Sequence, residues 1–491
     1  MPQCRPWFSV EKSACHGVRK QSQHDMERAP RLGWHLVVLM TMALVVRLAA
    51  GYWWQSRLPE GTRFRFGDSE SYWVLGQCLV RGEPYEYGQD NRVFRTPGYP
   101  ALLSGMFWLL GNDNPPVLWG RALSAICGSL AVGGGALLAT QWFNWRAGLA
   151  AGWVTVFHPE AISLGTLVLS EAPFCPLMLL QFIAWQAAFS AGSSRPVGGS
   201  GVPSLPVSSS RSRSAAPTWG WGVLAGVAAG LATLMRPSWL LFSPLALAGG
   251  LLLLAMRRDQ RRGTLGRLAI GTALGMIITL APWWYRNYRV TGELVLTSLQ
   301  VGASLYDGLS PQATGASDMR FVGPAVEHLR ALDARATTPP AATFEARLDR
   351  SLRDESLGWA RAHPRRVVEL AGIKFWRMWN IWPNASDMGG RLGRWLIVAG
   401  FLPLIALLGY GFYQLVVGGR GSWEIWYFAC LPAVYFTLLH TIFVSSIRYR
   451  QPALLPLIAL AVGGWVATMG SFRATAARAT SLTNAGRLAH D

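Results

Sequence analysis

The residues best suited to chemistry lie in one stretch of the chain, between Phe66 and Pro100. Among its charged residues are the carboxylates Asp68 and Glu70, two positions apart, and Arg95, which lies just before a Pro-Gly-Tyr-Pro turn. A positioned carboxylate can accept a proton from a hydroxyl group, and a guanidinium binds phosphate oxygens through parallel hydrogen bonds. Acidic, basic and aromatic residues at this density predict a catalytic loop.

Further polar residues lie where later apolar segments end. A charge near the hydrocarbon of a bilayer costs about 2.5–3.5 kcal/mol, so such residues usually face a cavity or a partner. We expect several carboxylates and arginines to meet at one end of the apolar segments, as a site that binds phosphate and activates a hydroxyl requires. The residues concerned are His158, Glu160, Glu171, Arg236, Tyr285, Arg286 and Arg448.

Each of these residues also has a purely structural explanation. Asp68 can cap a helix over 69–79, and Glu171 can favour a helix N-terminus through the helix dipole. The order and sidedness of the whole set, rather than any single residue, therefore support a site. Ordinary loop, interface or core roles are equally available to Arg95, Arg286, Arg448 and His158.

The elements that must position these residues are membrane helices. Of the 491 residues, 51% are apolar and 14% are charged, whereas soluble proteins carry about 25% charged residues. Apolar runs recur from residue 33 to residue 470, and several approach the ~20 residues that span a bilayer. The runs are continuous rather than alternating, which predicts an all-α multi-pass membrane protein and not a barrel.

The net charge and the cysteine spacing limit the classes of partner and of metal or disulfide site that we expect. The net charge of +19 comes with no basic-aromatic nucleic-acid motif, so we assign it to arginines in loops that flank membrane helices. The expected partner is therefore the lipid bilayer, and no nucleic acid is expected. The six cysteines are scattered and form no Cys-x-x-Cys pair, which argues against a disulfide framework or a zinc site.

Ten membrane spans are predicted, to within two. The excess of arginine and lysine in both terminal segments places both chain ends in the cytoplasm. Apolar segments at 72–79 and 99–110 are predicted to lie along the membrane surface, because they are too short to cross it. If 98–111 were a span instead, every later segment would change sides. The predicted spans are 33–53, 118–142, 147–164, 170–190, 219–235, 238–256, 268–284, 393–416, 425–444 and 452–470.

The same pattern divides the chain into regions. A transmembrane module over 33–284 carries the external catalytic loop 54–117. A polar segment with two amphipathic helices, split by Pro364, is predicted as an external helical subdomain over 285–391. The remaining regions are a cytoplasmic N-terminal tail (1–32), a flexible cytoplasmic linker (192–217), C-terminal transmembrane helices (392–470) and a cytoplasmic tail (471–491).

Seven short motifs follow one another between residues 67 and 452. They are Gly67-Asp68-Ser-Glu-Ser-Tyr72, Arg95-Thr-Pro-Gly-Tyr-Pro100, Arg121, Leu169-Ser-Glu171-Ala-Pro173, Leu231-Ala-Thr-Leu-Met-Arg236-Pro237, Pro282-Trp-Trp-Tyr-Arg286-Asn287-Tyr288 and Arg448-Tyr-Arg-Gln-Pro452. In this order they resemble the C-type polyprenyl-phosphate-sugar glycosyltransferases. The group is the protein mannosyltransferase-like one, glycosyltransferase family 39, which includes the aminoarabinose transferase of lipid A and the related rhizobial lipopolysaccharide transferases.

The resemblance implies the C-type glycosyltransferase fold and a membrane enzyme. Such an enzyme moves a hexose or pentose from a polyprenyl-phosphate donor to a hydroxyl of a lipid, a cell-envelope glycan or a protein, with inversion. The site would lie on the external face of the plasma membrane. Many members carry an adjacent Asp-Glu pair where this chain has Asp-Ser-Glu.

The resemblance also assigns roles to residues. Asp68 would act in catalysis together with Glu171 and Glu70, and Arg95 would contact the donor phosphate. The arginines that would help Arg95 are Arg236, Arg286 and Arg448, and the expected contacts to sugar or acceptor are Tyr72, Tyr99, His158, Glu160 and Tyr285.

Two points stay open in the sequence. No metal-spacing motif is present, but Asp68, Glu70 and Glu171 could supply the oxygen ligands that a divalent cation prefers. A polyprenyl-lipid or sugar transporter without transferase chemistry is the alternative function. It is disfavoured because the chain shows no internal repeat and its charges lie at helix ends rather than at mid-membrane depth.

Overall fold

The computed structural model describes residues 29–488, with gaps at 193–215, 258, 260, 339, 384–389 and 418–421. Its described part is helical and contains no strand. Most of the predicted N-terminal tail and most of the predicted 192–217 linker lie outside the described residues. The helices are α1 (Ala29–Gln55), α2 (Gly67–Arg81), α3 (Gly98–Leu110), α4 (Val117–Trp142), α5 (Trp145–Phe157), α6 (Pro159–Leu164), α7 (Glu171–Gly192), α8 (Ala216–Met235), α9 (Phe242–Met256), α10 (Arg262–Thr291), α11 (Val301–Gly308), α12 (Val322–Arg335), α13 (Phe344–Ala362), α14 (Pro364–Trp379), α15 (Gly390–Val416), α16 (Trp423–Ile442) and α17 (Gln451–Leu488).

Nine helices of the described part are long and apolar enough to cross a membrane: α1, α4, α7, α8, α9, α10, α15, α16 and α17. The count agrees with the predicted ten to within two. The predicted span 147–164 is not one continuous helix, because the chain breaks at His158, where ψ is 121°. Pro159 follows, and proline lacks the N–H that a helix requires and disfavours helical geometry in the residue before it.

The broken pair α5–α6 nevertheless returns the chain through the bundle. Glu171, at the start of α7, forms ion pairs with Arg236 at the end of α8 and with Arg448 just before α17. We call this the site end. At the opposite end, Arg261 before α10 pairs with Glu424 at the start of α16, 2.7 Å apart. Helix α4 leaves the site end, where Arg121 donates to the carbonyl oxygen of Thr166, and α7 begins there again, so α5–α6 brings the chain back to that end.

A buried arginine ties the first span to this broken pair. Arg47 in α1 is 1% exposed. Its guanidinium donates to the carbonyl oxygens of Ala43, Thr155 and Ala161 at 3.2, 3.4 and 3.2 Å. A helix break frees carbonyl groups that hydrocarbon cannot satisfy, and a guanidinium can bond several of them at once. Arg47 therefore satisfies the backbone at the interruption.

Small residues let two later spans pack closely. A Cβ atom added to Gly226 of α8 would lie 2.2 Å from the carbonyl oxygen of Thr272, and one added to Gly275 of α10 would lie 2.3 Å from that of Val223. Membrane helices use such small residues to bring their backbones together, since lipid gives no hydrophobic driving force between helices. These two glycines set the α8–α10 contact.

The segment between α1 and α4 lies at the site end. Helix α3 has 13 residues, about 20 Å of helix, which is short of the ~30 Å hydrocarbon thickness. It begins at Gly98 of the Pro-Gly-Tyr-Pro turn, where a Cβ atom would lie 2.7 Å from the backbone of Leu234. Only glycine permits this approach, so the turn docks the loop against the end of α8.

The region predicted as a subdomain contains α11–α14. The two predicted amphipathic helices correspond to α13 and α14, and Pro364 begins the second one, where a missing N–H costs nothing. The largest differences from the predicted boundaries are in two spans. Helix α10 runs from Arg262 to Thr291 rather than over 268–284, and α17 continues to Leu488 rather than ending at 470.

Two buried polar side chains attach this region to the rest of the molecule. The carboxylate of Glu345 accepts hydrogen bonds from the backbone N–H groups of Arg92 and Val93, both at 2.9 Å. Lys374 donates from Nζ to the carbonyl oxygens of Gly308 and Ile442 at 2.9 and 2.6 Å. The first contact holds the loop that carries Arg95, and the second holds the end of α16.

Candidate active site

Five charged side chains converge at the site end from five separate elements. Asp68 lies in the first turn of α2, and Arg95 precedes α3. Glu171 is the first residue of α7, and Arg236 directly follows α8. Arg448 lies in a short 3₁₀ turn between α16 and α17. Each is at a helix terminus, where the backbone can present a side chain without interrupting a span.

These five residues form a continuous row of alternating charge, which we call the charge row. Arg95 Nη2 lies 2.6 Å from Asp68 Oδ1, and Arg448 Nη2 lies 3.1 Å from Asp68 Oδ2. On its other side, Arg448 Nε lies 2.5 Å from Glu171 Oε1, which Arg236 Nη1 also contacts at 2.8 Å. Three cations and two anions leave the row with a net charge of +1, which favours an anionic ligand.

The arginines determine the protonation state of Asp68. Burial alone would favour the neutral carboxyl group, but the charges of Arg95 and Arg448 and their hydrogen bonds outweigh it. The pKa of Asp68 is therefore held well below its usual range, and the group is a carboxylate at neutral pH. Each of its two oxygens bonds to a different guanidinium.

Arg95 is fixed in place by contacts on every nitrogen. Besides Asp68, it donates from Nε to Ser71 Oγ at 3.2 Å and from Nη1 to Gln300 Oε1 at 2.9 Å. Its guanidinium also lies over the rings of Tyr72 and Phe94, 5.1 and 4.7 Å from their centroids. Gln300 immediately precedes α11, so the region predicted as a subdomain contributes one residue to the site.

A cavity of about 370 Å³ opens above the charge row. Its floor includes Asp68, Arg95, Arg236 and Arg448, whereas much of its wall is apolar. One wall residue, Leu241, is 57% exposed on the outside of the bundle, where lipid would surround a membrane protein. A charged floor beneath an apolar wall suits an amphipathic ligand with a charged group on an apolar chain. The apolar wall includes Leu240, Leu241, Val301, Leu439, Phe443 and Val444.

The other predicted residues lie at different distances from this cavity. Tyr72 lines it and donates to Ser170 Oγ at 3.2 Å. Tyr99 is buried behind Tyr72, with ring centroids 5.3 Å apart, and does not line the cavity. Glu70 is exposed on α2 and has no hydrogen bond or ion pair within the described residues. Glu70 therefore does not line the cavity, although Asp68, two residues earlier, does.

Four further residues lie outside the cavity. Arg286 donates to the carbonyl oxygens of Arg92 and Tyr85 at 2.8 and 3.2 Å, so it braces the loop. Tyr285 is 63% exposed and accepts a hydrogen bond from Arg289. His158 is buried at the α5–α6 break against Gly400, and Glu160 is buried in an ion pair with Arg450.

Three residues that line the cavity, His440, Tyr449 and Gln300, are not among the predicted site residues. His440 is buried, donates from Nδ1 to the Val444 carbonyl oxygen at 2.8 Å, and stacks on Tyr449 with ring centroids 4.0 Å apart. Tyr449 lies between two motif arginines, so its position could have indicated it. Gln300 stands in an ordinary polar stretch and is found only from the fold.

The carboxylates do not fit a divalent cation. Asp68 and Glu171 both bond to Arg448, and each has a second arginine, while Glu70 is exposed away from them. The described residues contain no group of three or more His, Cys, Asp or Glu that could hold a metal ion. Because guanidinium groups occupy the positions that a cation would take, we derive no step through a metal.

A comparison with protein-family models finds no match, and neither does a comparison with curated proteins. Solved structures do match. The Archaeoglobus fulgidus oligosaccharyltransferase in its apo form is similar over 90% of this chain and 52% of its own, at 14% identity and a TM-score of 0.55. The same archaeal enzyme, AglB, in complex with an inhibitory peptide and a dolichol-phosphate matches at 13% identity, 91% and 52% coverage and a TM-score of 0.55.

A bacterial structure is similar at a lower score. ArnT from Cupriavidus metallidurans, bound to undecaprenyl phosphate, matches 89% of this chain and 79% of its own, at 15% identity and a TM-score of 0.41. This chain spans about half the length of the archaeal oligosaccharyltransferase (52%). The likeness to that enzyme shows the architecture: the chain is a multi-pass membrane protein with the C-type glycosyltransferase fold.

Proposed function

We propose that this protein transfers a sugar from a polyprenyl-phosphate donor to a hydroxyl acceptor. The observation that carries the proposal is the charge row at the floor of a cavity with an apolar wall. A phosphate on a lipid chain has the same two parts, an anion and a long apolar segment. The archaeal enzyme of the same fold was determined with a dolichol-phosphate, which supports this donor class.

Arg95 and Arg448 are the proposed phosphate ligands. Both line the cavity, and a guanidinium can bond two phosphate oxygens at once. Arg236 lies at the far end of the charge row and supports Arg448 through their shared partner, Glu171. Arg286, which the sequence also suggested, has its donors bonded to loop carbonyls, and we assign it to holding the loop.

Asp68 is the proposed catalytic carboxylate. With both oxygens bonded to arginines, it is a weak base. A donor phosphate that bonds Arg95 or Arg448 weakens those ion pairs, which raises the basicity of Asp68 and frees an oxygen for the acceptor hydroxyl. The base then becomes effective only beside a bound donor.

The proposed reaction is a single displacement. The acceptor oxygen bonds to the anomeric carbon, the bond from that carbon to the phosphate oxygen breaks, and the hydroxyl proton passes to Asp68. Polyprenyl phosphate leaves with its charge stabilised by Arg95 and Arg448, where losing one such contact typically costs about 10²–10³ in rate. Attack opposite the phosphate inverts the anomeric carbon. We place the site on the external face of the plasma membrane, with a hexose or pentose as the transferred sugar.

The test compares two carboxylate substitutions on one helix turn. Asp68→Asn should abolish sugar transfer, because an amide can neither take the proton nor bond both arginines as a carboxylate does. Purified protein is incubated with radiolabelled polyprenyl-phosphate sugar and host membranes, and labelled product and released lipid phosphate are counted. Glu70→Gln is the matched control and should transfer at the wild-type rate, since Glu70 is exposed and unbonded among the described residues.

Two outcomes would contradict the proposal. If Asp68→Asn inserts normally and transfers sugar at nearly the wild-type rate, the carboxylate serves only to hold Arg95 and Arg448 in place. If the wild-type protein moves the labelled lipid across proteoliposomes without releasing lipid phosphate, it is a transporter and not a transferase.

A further inference from the structure

A second cavity, of about 700 Å³, lies within the subdomain. Its walls come from α11, α12, α13 and the loop between α11 and α12. Its volume falls inside the roughly 300–1,000 Å³ typical of ligand-binding sites, and it is about twice the volume of the cavity above the charge row. The donor site described above uses none of its residues.

The two cavities share one wall. Val301 and Ser304 of α11 line the cavity above the charge row, whereas Tyr306 and Asp307 of the same helix line the second cavity. A helix with its side chains is about 10–12 Å across. About one helix width therefore separates the two cavities, and the first cavity continues from α11 to the charge row.

The second cavity is lined by three carboxylates, Asp307, Asp318 and Glu355, and by two basic residues, Arg320 and His328, both of which are exposed. Asp307 is 4% exposed, and its oxygens accept from Ser317 Oγ and from the N–H of Asp318 at 2.7 and 2.8 Å. Glu355 accepts from the Tyr306 hydroxyl at 3.2 Å. Arg320 lines the outer part, where its side chain is 91% exposed and paired with Asp318. Like charges brought together cost several kcal/mol, so this lining disfavours an anionic ligand.

Apolar surface lies beside these carboxylates. Tyr306 and Phe321 face each other with ring centroids 4.7 Å apart, and Leu352 is buried in the adjoining wall. The bond from Tyr306 to Glu355 fixes the orientation of its ring. Hydroxyl groups can donate to the carboxylates while apolar carbon faces pack on the rings. A neutral oligosaccharide offers both kinds of surface.

We propose that the second cavity binds the acceptor as a neutral, hydroxyl-rich glycan chain, whose end reaches over α11 to the charge row. The role of this glycan as acceptor rests on the proposed function. Binding of the glycan does not, because it can be measured without any donor. It assigns the two halves of the substrate to two cavities of different charge: an anionic lipid to the arginines and an uncharged glycan to the carboxylates.

The test measures glycan binding to the full-length protein in nanodiscs by isothermal titration calorimetry. Maltohexaose is the neutral probe, and oligogalacturonate of the same length is the charged one. We expect maltohexaose to bind and oligogalacturonate to bind at least about tenfold more weakly. Equal or tighter binding of oligogalacturonate, binding of a serine-rich peptide in place of both, or no binding of either glycan would overturn the proposal.

Substitutions on one helix locate the binding. Ala325 of α12 lines the second cavity, whereas Glu327 does not line it and lies on the opposite side of that helix, exposed. Ala325→Trp should weaken maltohexaose binding by about tenfold or more by filling the cavity, and Glu327→Trp should leave it unchanged. Thr314→Trp, at an exposed loop position in the lining, repeats the block if Ala325→Trp misfolds.

Binding of undecaprenyl phosphate to the same variants separates the two proposals. The blocking variants should bind this lipid as the wild type does, because the charge row is intact. If both blocking variants bind maltohexaose as tightly as the wild type does, the second cavity is not the glycan site. The proposed transfer reaction would not be affected by that result. If the wild type binds maltohexaose but transfers no sugar, the proposed function is wrong and the glycan-binding site still stands.

Discussion

Arg448 and Arg450 lie two residues apart in one 3₁₀ turn, yet they serve different purposes. Arg448 lines the cavity with 18% of its side chain exposed and divides its bonds between Asp68 and Glu171. Arg450 is fully buried and gives its bonds to Glu160 and to the carbonyl oxygens of Met378 and Asn380. The same residue type, in the same turn, faces a cavity in one case and the protein interior in the other.

The difference lies in how the charges are shared. In the charge row, each carboxylate touches two arginines, so the loss of Arg448 leaves Asp68 with Arg95 and Glu171 with Arg236. In the buried pair, Glu160 has Arg450 as its one ion-pair partner within the described residues. When one arginine of the charge row binds a ligand, each carboxylate still has another arginine as counter-charge. In the buried pair, Glu160 would be left without a counter-charge.

The largest expected effect comes from breaking the exclusive pair. Arg450→Met leaves the fully buried carboxylate of Glu160 without a counter-charge, which typically costs about 3–5 kcal/mol. We expect the variant to lose most of its thermal stability in detergent, or to accumulate poorly in the membrane, as followed by size-exclusion fluorescence during heating. Sugar transfer would fall only in proportion to the folded protein.

The control for this substitution removes both charges. Glu160→Met combined with Arg450→Met leaves no buried ion, and replacing a buried pair by apolar residues is often neutral or stabilising. The double variant should therefore be more stable than Arg450→Met alone. A double variant that melts as low as the single one would show that the carbonyl contacts of Arg450, rather than its charge, hold the turn.

A smaller effect, on rate rather than stability, is expected from Arg448. Arg448→Gln removes a proposed phosphate ligand but leaves each acid with one arginine. We expect sugar transfer to fall by about 10²–10³ while the melting temperature stays near that of the wild type. Transfer kinetics and thermal melting of the same preparation measure the two quantities. Comparable losses in both would mean that the row is as structural as the buried pair.

The smallest effect concerns Glu345, a buried acid with no arginine bonded to it. Burial raises its pKa to about 7, although the backbone N–H groups of Val93 and Arg92 act in the opposite direction. Since the folded pKa exceeds the usual 4.5, its contribution to stability is complete below pH 4.5 and is lost as pH rises through about 7. Glu345→Gln should therefore lose less stability than the wild type over that pH window.

Thermal melting of both proteins across the window gives the comparison. Parallel pH curves for Glu345→Gln and the wild type would show that Glu345 stays ionised through its two backbone donors, as the arginine-bonded acids do. The difference between the curves thus measures the free-energy cost of ionising a buried carboxylate that is bonded only to backbone N–H groups.

The fold class was largely predictable from the sequence, and the site only in part. Continuous apolar runs indicate helical spans, and the polar residues at their ends indicate a common site. In the structure Asp68, Arg95, Glu171, Arg236 and Arg448 form one charge row, whereas Arg286, Tyr285, His158 and Glu160 lie outside the cavity. The continuous apolar run of α5 and α6 hides the break at His158, although Pro159 is a local signal for it.

The assignment of Glu160 to the site could not have been corrected from sequence. Whether Arg448 or Arg450 faces the cavity depends on the direction of one short turn, which the packing of α6, α14 and α15 around it decides. The role of Gln300 is likewise not predictable from the sequence, since its contact with Arg95 joins residues 205 positions apart. Such long-range polar contacts have no local periodicity to reveal them.

The burial of Arg47 imposes an order on membrane insertion. Its guanidinium lies in the first span, but two of its acceptors, the carbonyl oxygens of Thr155 and Ala161, are synthesised 108 and 114 residues later. Until α5 and α6 enter the bilayer, the first helix carries an arginine whose insertion costs about 2.5–3.5 kcal/mol. Nascent chains that end before α5 should hold this helix weakly in lipid, and arrival of the broken pair is the step that anchors it.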